Sequence, residues 1–146
     1  MTVRLVPVTP ENSVAVAALE LAPDQTELVA SNAESLEEAL TDPDARPRAI
    51  MAGETLVGFL MYDAGDADEA QIYRFMIDRR HQGRGYGKAA LKAALTEIRA
   101  LGPARRVAIC YEPENEAARR LYAAAGFVED GLDEDGEMIA HLDPAG

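Results

Sequence analysis

Apolar and polar positions follow two rhythms along the chain, and the changes of rhythm mark the elements. Residues 1–8, Met-Thr-Val-Arg-Leu-Val-Pro-Val, read as a short strand. Thr9-Pro10-Glu11 is a helix start, with Thr9 as cap and Pro10 at the first helical position, running to about Leu19. Pro23-Asp24 opens a second short helix toward Ala30. Ser35-Leu36-Glu37-Glu38 has capping-box spacing and begins a third, which ends near Asp42-Pro43. Residues 48–52, a Gly53-Glu54 turn and residues 55–62 form a hairpin. An acidic loop then leads into a strand over 70–77. Between 85 and 101 the period changes: Leu91, Leu95 and Ile98 fall on one helical face, and Gly102-Pro103 ends the helix. A strand over 106–111, a helix over 115–125 closed by Gly126, and a last hairpin (127–129 with 137–142) complete the chain. This order predicts an α+β fold, a mixed and mostly antiparallel sheet flanked by helices, with one strand–helix–strand unit in its middle.

The length of 146 residues fits a single domain over 1–146. No apolar run approaches 18 residues, so no membrane span is expected. The N-terminus is broken too early by Pro7 and Pro10 to read as a signal peptide, which makes a cytoplasmic protein the expectation. Cys110, the only cysteine, lies in the apolar run Val107-Ala108-Ile109-Cys110 and reads as a small core residue. With His81 and His141 it makes no zinc set, and no carboxylate spacing fits a calcium loop, so no metal is expected.

Charge sharpens the picture because it is unevenly distributed. The net charge is -12, yet residues 74–120 carry 11 basic against 5 acidic side chains. Residues 1–73 sum to -11 and residues 121–146 to -7. The basic middle wants an anion; the acidic flanks disfavour nucleic acid and favour a cationic partner.

The anion has an obvious place. Arg79-Arg80-His81-Gln82-Gly83-Arg84-Gly85-Tyr86-Gly87-Lys88 joins a strand to an amphipathic helix. Its three glycines let backbone approach a ligand, and the N–H groups at the helix start attract phosphate. Arg79, Arg80, Arg84 and Lys88 oppose the helix dipole unless an anion is bound. A P-loop is excluded, since Ala89 follows Lys88 where Ser or Thr is required. The spacing Gly83-x-Gly85-x-Gly87 also fails the dinucleotide fingerprint.

What does match is Gln-x-x-Gly-x-Gly, as Gln82-Gly83-Arg84-Gly85-Tyr86-Gly87, and here the chain resembles the Gcn5-related N-acetyltransferases (GNAT). A second match, Asn115-x-x-Ala118-x-x-Leu121-Tyr122-x-x-x-Gly126-Phe127, is similar to the same family; the two cover roughly residues 70 to 128. The resemblance implies an acyl-CoA N-acyltransferase fold and acetyl-CoA as co-substrate. It implies that the amides of residues 82–88 hold the coenzyme's pyrophosphate, that a splayed Phe75-Met76-Ile77 strand pairs with pantetheine, and that Asn115 binds pantetheine too. Tyr122 would stand near the thioester sulfur. A phenol with a pKa of ~10 is protonated at neutral pH and can donate to a leaving thiolate; the competing reading is a core tyrosine beside Leu121 and Ala125. Arg119 and Arg120 either reach coenzyme phosphates or are solvated.

The acceptor amine arrives charged and needs a proton removed. Relatives often carry a glutamate where this chain has Gln71, whose amide is no base. Tyr73, on the same face, could position a water; Glu112 and Glu27 are the other candidates. Residues 21–39, with Leu21, Pro23, Gln25, Val29, Ala30, Asn32, Ser35, Leu36 and Ala39, are similar to a bacterial subgroup that includes spermine/spermidine acetyltransferases. The expected activity is direct transfer of acetyl to a small cationic amine, a polyamine or diamine above all. A peptide N-terminus, an aminoglycoside, or acyl-CoA sensing without turnover are the alternatives. Exposed strand edges in the last hairpin suit a homodimer.

Overall fold

A computed structural model describes residues 3–20, 32–66, 68–102 and 105–143. Seven strands form one sheet in the order β1-β2-β3-β4-β5-β7-β6: β1 Val3–Pro7, β2 Ala45–Ala52, β3 Thr55–Asp63, β4 Glu69–Ile77, β5 Arg106–Tyr111, β6 Val128–Leu132 and β7 Met138–Leu142. All described pairings are antiparallel except β4 with β5. That parallel pair is joined by α3 (Tyr86–Leu101), the expected strand–helix–strand unit. The remaining helices are α1 (Ser13–Ala17), α2 (Asn32–Thr41) and α4 (Glu116–Ala124).

The helices divide between the two faces. Leu91, Ala94 and Ile98 of α3 and Tyr122 of α4 pack with Leu60, Tyr62, Ile72, Val107 and Ile109 of the sheet. Val16 of α1 packs on the other face with Ala49, Phe59, Met61 and Met76, and Leu36 and Ala39 of α2 close over them. Each large side chain buried in this way contributes about 2 kcal/mol. The predicted face of α3 is the buried one, with Ala90 and Ala94 joining it. Glu97 on α3 accepts from Arg48 Nε at 3.0 Å and from the Tyr62 hydroxyl, fastening the helix to β2 and β3.

Of the boundaries that differ from the sequence reading, three have a clear physical cause. The first helix starts at Ser13, not at Pro10. The Asn12 carboxamide accepts from the Thr9 N–H at 2.8 Å and donates to the Pro7 carbonyl at 3.1 Å, so side chain–backbone bonds occupy the turn before the helix. The helix expected from Ser35 begins at Asn32. Ser35 is fully buried within it, and its hydroxyl accepts from Arg74 Nε at 2.8 Å, so a tertiary partner takes the group that was to cap. Strand β2 runs back through Pro47 to Ala45; its missing N–H is tolerated because β1 already ends at Pro7, opposite Arg48. The helix expected over 23–30 lies outside the described residues.

One irregularity shapes the middle of the sheet. Met61 pairs with Arg74 and Tyr62 with Ile72, which leaves Tyr73 without a partner on β3. The extra residue is a β-bulge. It turns Tyr73 toward the α1–α2 face, whereas Ile72 and Phe75, three apart, both join the opposite core. The same point ends the pairing of β4 with β5: their last pair is Ile72 with Ile109, and beyond it the two strands part.

Close to this slot, β3 and β4 touch at Gly58, where an added Cβ would lie 2.4 Å from the Met76 carbonyl oxygen. A backbone atom cannot give way as a flexible side chain does. Gly58→Ala should therefore cost about 1–3 kcal/mol in a denaturant titration.

Candidate active site

The slot opens into a cleft of about 280 Å³ between the end of β4, the loop that follows it and α4. Phe75, Met76 and Ile77 form one wall; His81, Gln82, Gly83, Gly85, Tyr86 and Gly87 form the mouth; Asn115, Ala118, Leu121 and Tyr122 form the far side. A larger hollow of about 650 Å³ lies elsewhere, between β1, α1 and α2, with a mainly apolar lining that includes Val8, Val14, Leu36, Leu40 and Pro47.

The mouth is built from backbone. Gly83 and Gly85 have φ of 78° and 81°, the left-handed region that glycine adopts without strain. Gly85 caps α3, and the N–H groups of Gly85, Tyr86, Gly87 and Lys88 make no hydrogen bond among the described residues. These are the four donors a helix start leaves over, collected at the rim of a cleft. Gly87 lies inside the first turn, where a Cβ would meet Leu121 and Ile77 at ordinary distances of 3.7 and 3.9 Å. Its openness therefore serves the cleft and not the packing.

Asp78, fully buried, holds the loop in place. Its carboxylate accepts from the backbone of Glu20 at 2.9 Å, from the backbone of Arg80 at 3.0 Å and from Arg80 Nε at 3.0 Å. Burial raises its pKa, but the Arg80 guanidinium and the two N–H donors outweigh that and hold the carboxyl at about 2. Gln82 Nε2 donates to the Ile77 carbonyl at 2.9 Å, tying the loop back to β4. Of the four cations expected to need an anion, two are paired within the chain: Arg80 with Asp78, and Arg79 with Glu20 at 3.4 Å. Arg84 and Lys88 are exposed and carry no ion pair among the described residues.

Residues 13–127 match the acetyltransferase (GNAT) family. The chain belongs to that family. It is 31% identical over 147 aligned residues to the spermine/spermidine N(1)-acetyltransferase of Bacillus subtilis (strain 168), an alignment covering 95% of this chain and 97% of that one. Among solved structures it resembles an aminoglycoside acetyltransferase in complex with coenzyme A, with a TM-score of 0.80, 17% identity and 97% and 95% of the two chains covered. It also resembles the ribosomal-protein-S18-alanine N-acetyltransferase of Escherichia coli, with a TM-score of 0.76, 17% identity and coverage of 99% and 96%. At such identities the two structures speak for the fold. The family and the full-length relative make this GNAT chain an acetyl-CoA-dependent N-acetyltransferase.

On this GNAT scaffold the side chains singled out from sequence separate into three places. Phe75, Met76, Ile77, Gln82, Gly83, Gly85, Tyr86, Gly87, Asn115 and Tyr122 line the one cleft. Asn115 also caps α4, its Oδ1 accepting from the Ala118 N–H at 3.1 Å. Tyr122 is 6% exposed and sits among Tyr111, Phe127 and Phe75, with ring centroids at 5.1, 5.9 and 6.4 Å. Burial, and then the neighbouring Tyr111, push its phenol well above the ordinary value, so it stays protonated throughout the working range. Its hydroxyl has no hydrogen-bond partner among the described residues.

Arg84 and Lys88 stand on the outer rim, and Arg120 lines a separate depression with Arg119, Tyr111 and Glu129. Arg119 is committed to Glu129, at 3.1 Å. Tyr73 lies outside the cleft, on the α1–α2 face. Its phenol is pushed up to about 12, by burial and then by Asp42, Asp63 and Glu38, which suits it to orient a water and not to take a proton. Glu112 follows β5, outside the cleft lining, and Glu27 lies outside the described residues.

One residue escaped the sequence reading, and another was read there as core. His81 lines the mouth against Tyr86, with a buried Nδ1 that has no partner among the described residues. Cys110 is half-buried on the α1–α2 side and accepts from Gln71 Nε2 at 3.7 Å, instead of filling the core. The alternation along β5 carried the signal: Val107, Ile109 and Tyr111 face the core, which turns Cys110 away from it.

The depressed Asp78 carboxyl gives a stability term with a definite sign. The term is complete above an ordinary aspartate pKa, about 4, and is lost as pH falls through about 2. Asp78→Asn should cost roughly 2 kcal/mol at neutral pH. The variant should also unfold with a flatter pH dependence than the parent between pH 4 and 2, as followed by thermal melts.

Proposed function

We propose that the chain moves acetyl from acetyl-CoA directly to a primary amine of a polyamine or diamine, within a ternary complex. The observation that carries this reading is the 31% identity to the spermine/spermidine enzyme, which runs through 95% of the chain and so includes the acceptor-facing N-terminal part. The charge pattern supports it: -11 over residues 1–73 draws a polycation toward the face built by α1 and α2.

In this reading the four free N–H groups at the start of α3 receive the pyrophosphate. The edge of β4 beyond Ile72, left without β5, offers backbone partners to the pantetheine amides. Asn115 adds its carboxamide. The thioester then lies in the slot beside Tyr122. As the amine attacks the carbonyl carbon, the C–S bond breaks and sulfur leaves with the electron pair. The protonated Tyr122 hydroxyl, unpartnered and desolvated, supplies a proton to it. No metal is required by these steps, and a cytoplasmic location suits an enzyme fed by acetyl-CoA.

Steady-state thiol release should be fastest with spermine, spermidine or a short diamine, ahead of an aminoglycoside and of a peptide with a free N-terminus. A panel in which no di- or polyamine exceeds background would end the reading. Tyr122→Phe should lower kcat by about 100-fold or more while the KM for acetyl-CoA stays within about twofold. Unchanged kcat would remove Tyr122 from the chemistry.

A further inference from the structure

The slot between β4 and β5 has two mouths, and the cleft with Tyr122 occupies only the α4 side. On the other side the first β5 residue past the last β4–β5 pair is Cys110. Gln71, one of the last paired residues on β4, reaches its sulfur. Directly over this point folds the turn between β6 and β7. Cys110 Sγ and one carboxylate oxygen each from Asp133 and Glu137 lie within 4.8 Å of one another.

The two carboxylates differ in what they do for the chain. Asp133 is a structural residue of the turn: its Oδ1 accepts from the N–H groups of Asp135 and Glu137, each at 2.9 Å. The Glu137 side chain accepts no hydrogen bond and forms no ion pair among the described residues, although it is only partly exposed. A half-buried carboxylate without a partner has a standing free-energy cost, which a cation removes. Nearby, β4 itself offers an amide at Gln71, which cannot take up a proton, and a phenol at Tyr73 that holds its own.

We propose that Glu137 is the base of the reaction: its carboxylate receives the acceptor's ammonium on the α1–α2 side of the slot and removes a proton from it. This rests on the acetyl-transfer reading above and names the group that reading lacks. The proton balance closes. R–NH3⁺ gives one proton to Glu137, which passes it to solvent. The freed lone pair forms the C–N bond as the C–S bond breaks. The nitrogen then loses its second proton, replacing the one Tyr122 has given to sulfur, so that the products are the acetamide, the thiol and one released proton. Glu112 and Asp133 add negative charge around the same point and attract the remaining ammonium groups of a polycation.

The charges facing Glu137 suit this work. Burial, then Asp133, Glu112 and Asp135, raise its pKa above that of an ordinary glutamate, and Arg74 on β4 lowers it. The Cys110 thiol, itself pushed up by burial and then by Glu137 and Asp133, stays neutral and does not compete as a nucleophile. A carboxylate with a raised pKa is a stronger proton acceptor than an ordinary one.

The test uses whichever amine the wild type acetylates best. Glu137→Gln should lower kcat/KM for that amine by about 100-fold or more. Calorimetric binding of coenzyme A should stay unchanged, which also reports that the variant is folded. The wild-type profile of kcat/KM should fall as pH drops through the Glu137 pKa, and this acid limb should vanish in the variant. Glu137→Asp should recover part of the rate, and Glu54→Gln, in the remote β2–β3 turn, should match wild type. A Glu137→Gln enzyme with a wild-type rate and acid limb would overturn the proposal and leave the acetyltransferase reading intact. So would wild-type activity that is lost to a chelator and restored by a divalent ion. Absence of wild-type turnover with every amine tested would instead strike the reading beneath it.

Discussion

The parting of β4 from β5 is the constraint on which the rest depends. A strand in the middle of a sheet has both rows of backbone hydrogen-bonding groups engaged, and it has nothing to offer a ligand. Here the bulge at Tyr73 breaks the register against β3 at the same level where pairing with β5 stops after Ile72 and Ile109. From there to Ile77 one edge of β4 faces a cleft and not a strand. The gap is kept open by bulk on both sides: Tyr122, Tyr111, Phe127 and Phe75 interlock below it. Above, the Arg74 guanidinium lies 5.4 Å from the Tyr73 ring and binds Ser35 on α2. Arg74 thus ties the irregular part of β4 to α2.

The slot also separates two electrostatic tasks. The cleft at the start of α3 is basic at its rim and presents oriented N–H groups, with Arg84 and Lys88 beside them making no ion pair among the described residues. Asp78 keeps that rim from collapsing on itself by drawing Arg80 away and by anchoring the loop to Glu20. Past the end of the β4–β5 pairing, Glu112, Asp133, Asp135 and Glu137 gather around Cys110. A basic rim and an acidic patch thus stand at separate places around the parted strands. The net charge of -12 conceals this separation, because it sums the basic middle of the chain with its acidic flanks.

Much of this was legible beforehand where the reasons were local. The glycine loop, the period of α3 and the hairpin through Gly53 rest on interactions within a few residues, and they stand where the pattern put them. Misreadings arose where a distant partner decided. Ser35 had the spacing of a cap, but Arg74, 39 positions away, takes its hydroxyl. Cys110 looked like core because its neighbours are core; the strand's alternation turns it to the other face.

The sequence by itself determined that a helix N-terminus would be stripped of side chains and ringed with cations, because glycine spacing and charge are properties of adjacent residues. It thereby called for an anion, and the resemblance of the loop to the GNAT motif named the co-substrate. Only the tertiary structure decided which carboxylates would meet Cys110 at the end of β5. Glu137 and Cys110 are 27 positions apart, and the pairing of β5 with β7 is what carries the turn holding Glu137 onto the end of β5. That pairing fixes register over a distance at which no local pattern can specify which side chains will meet.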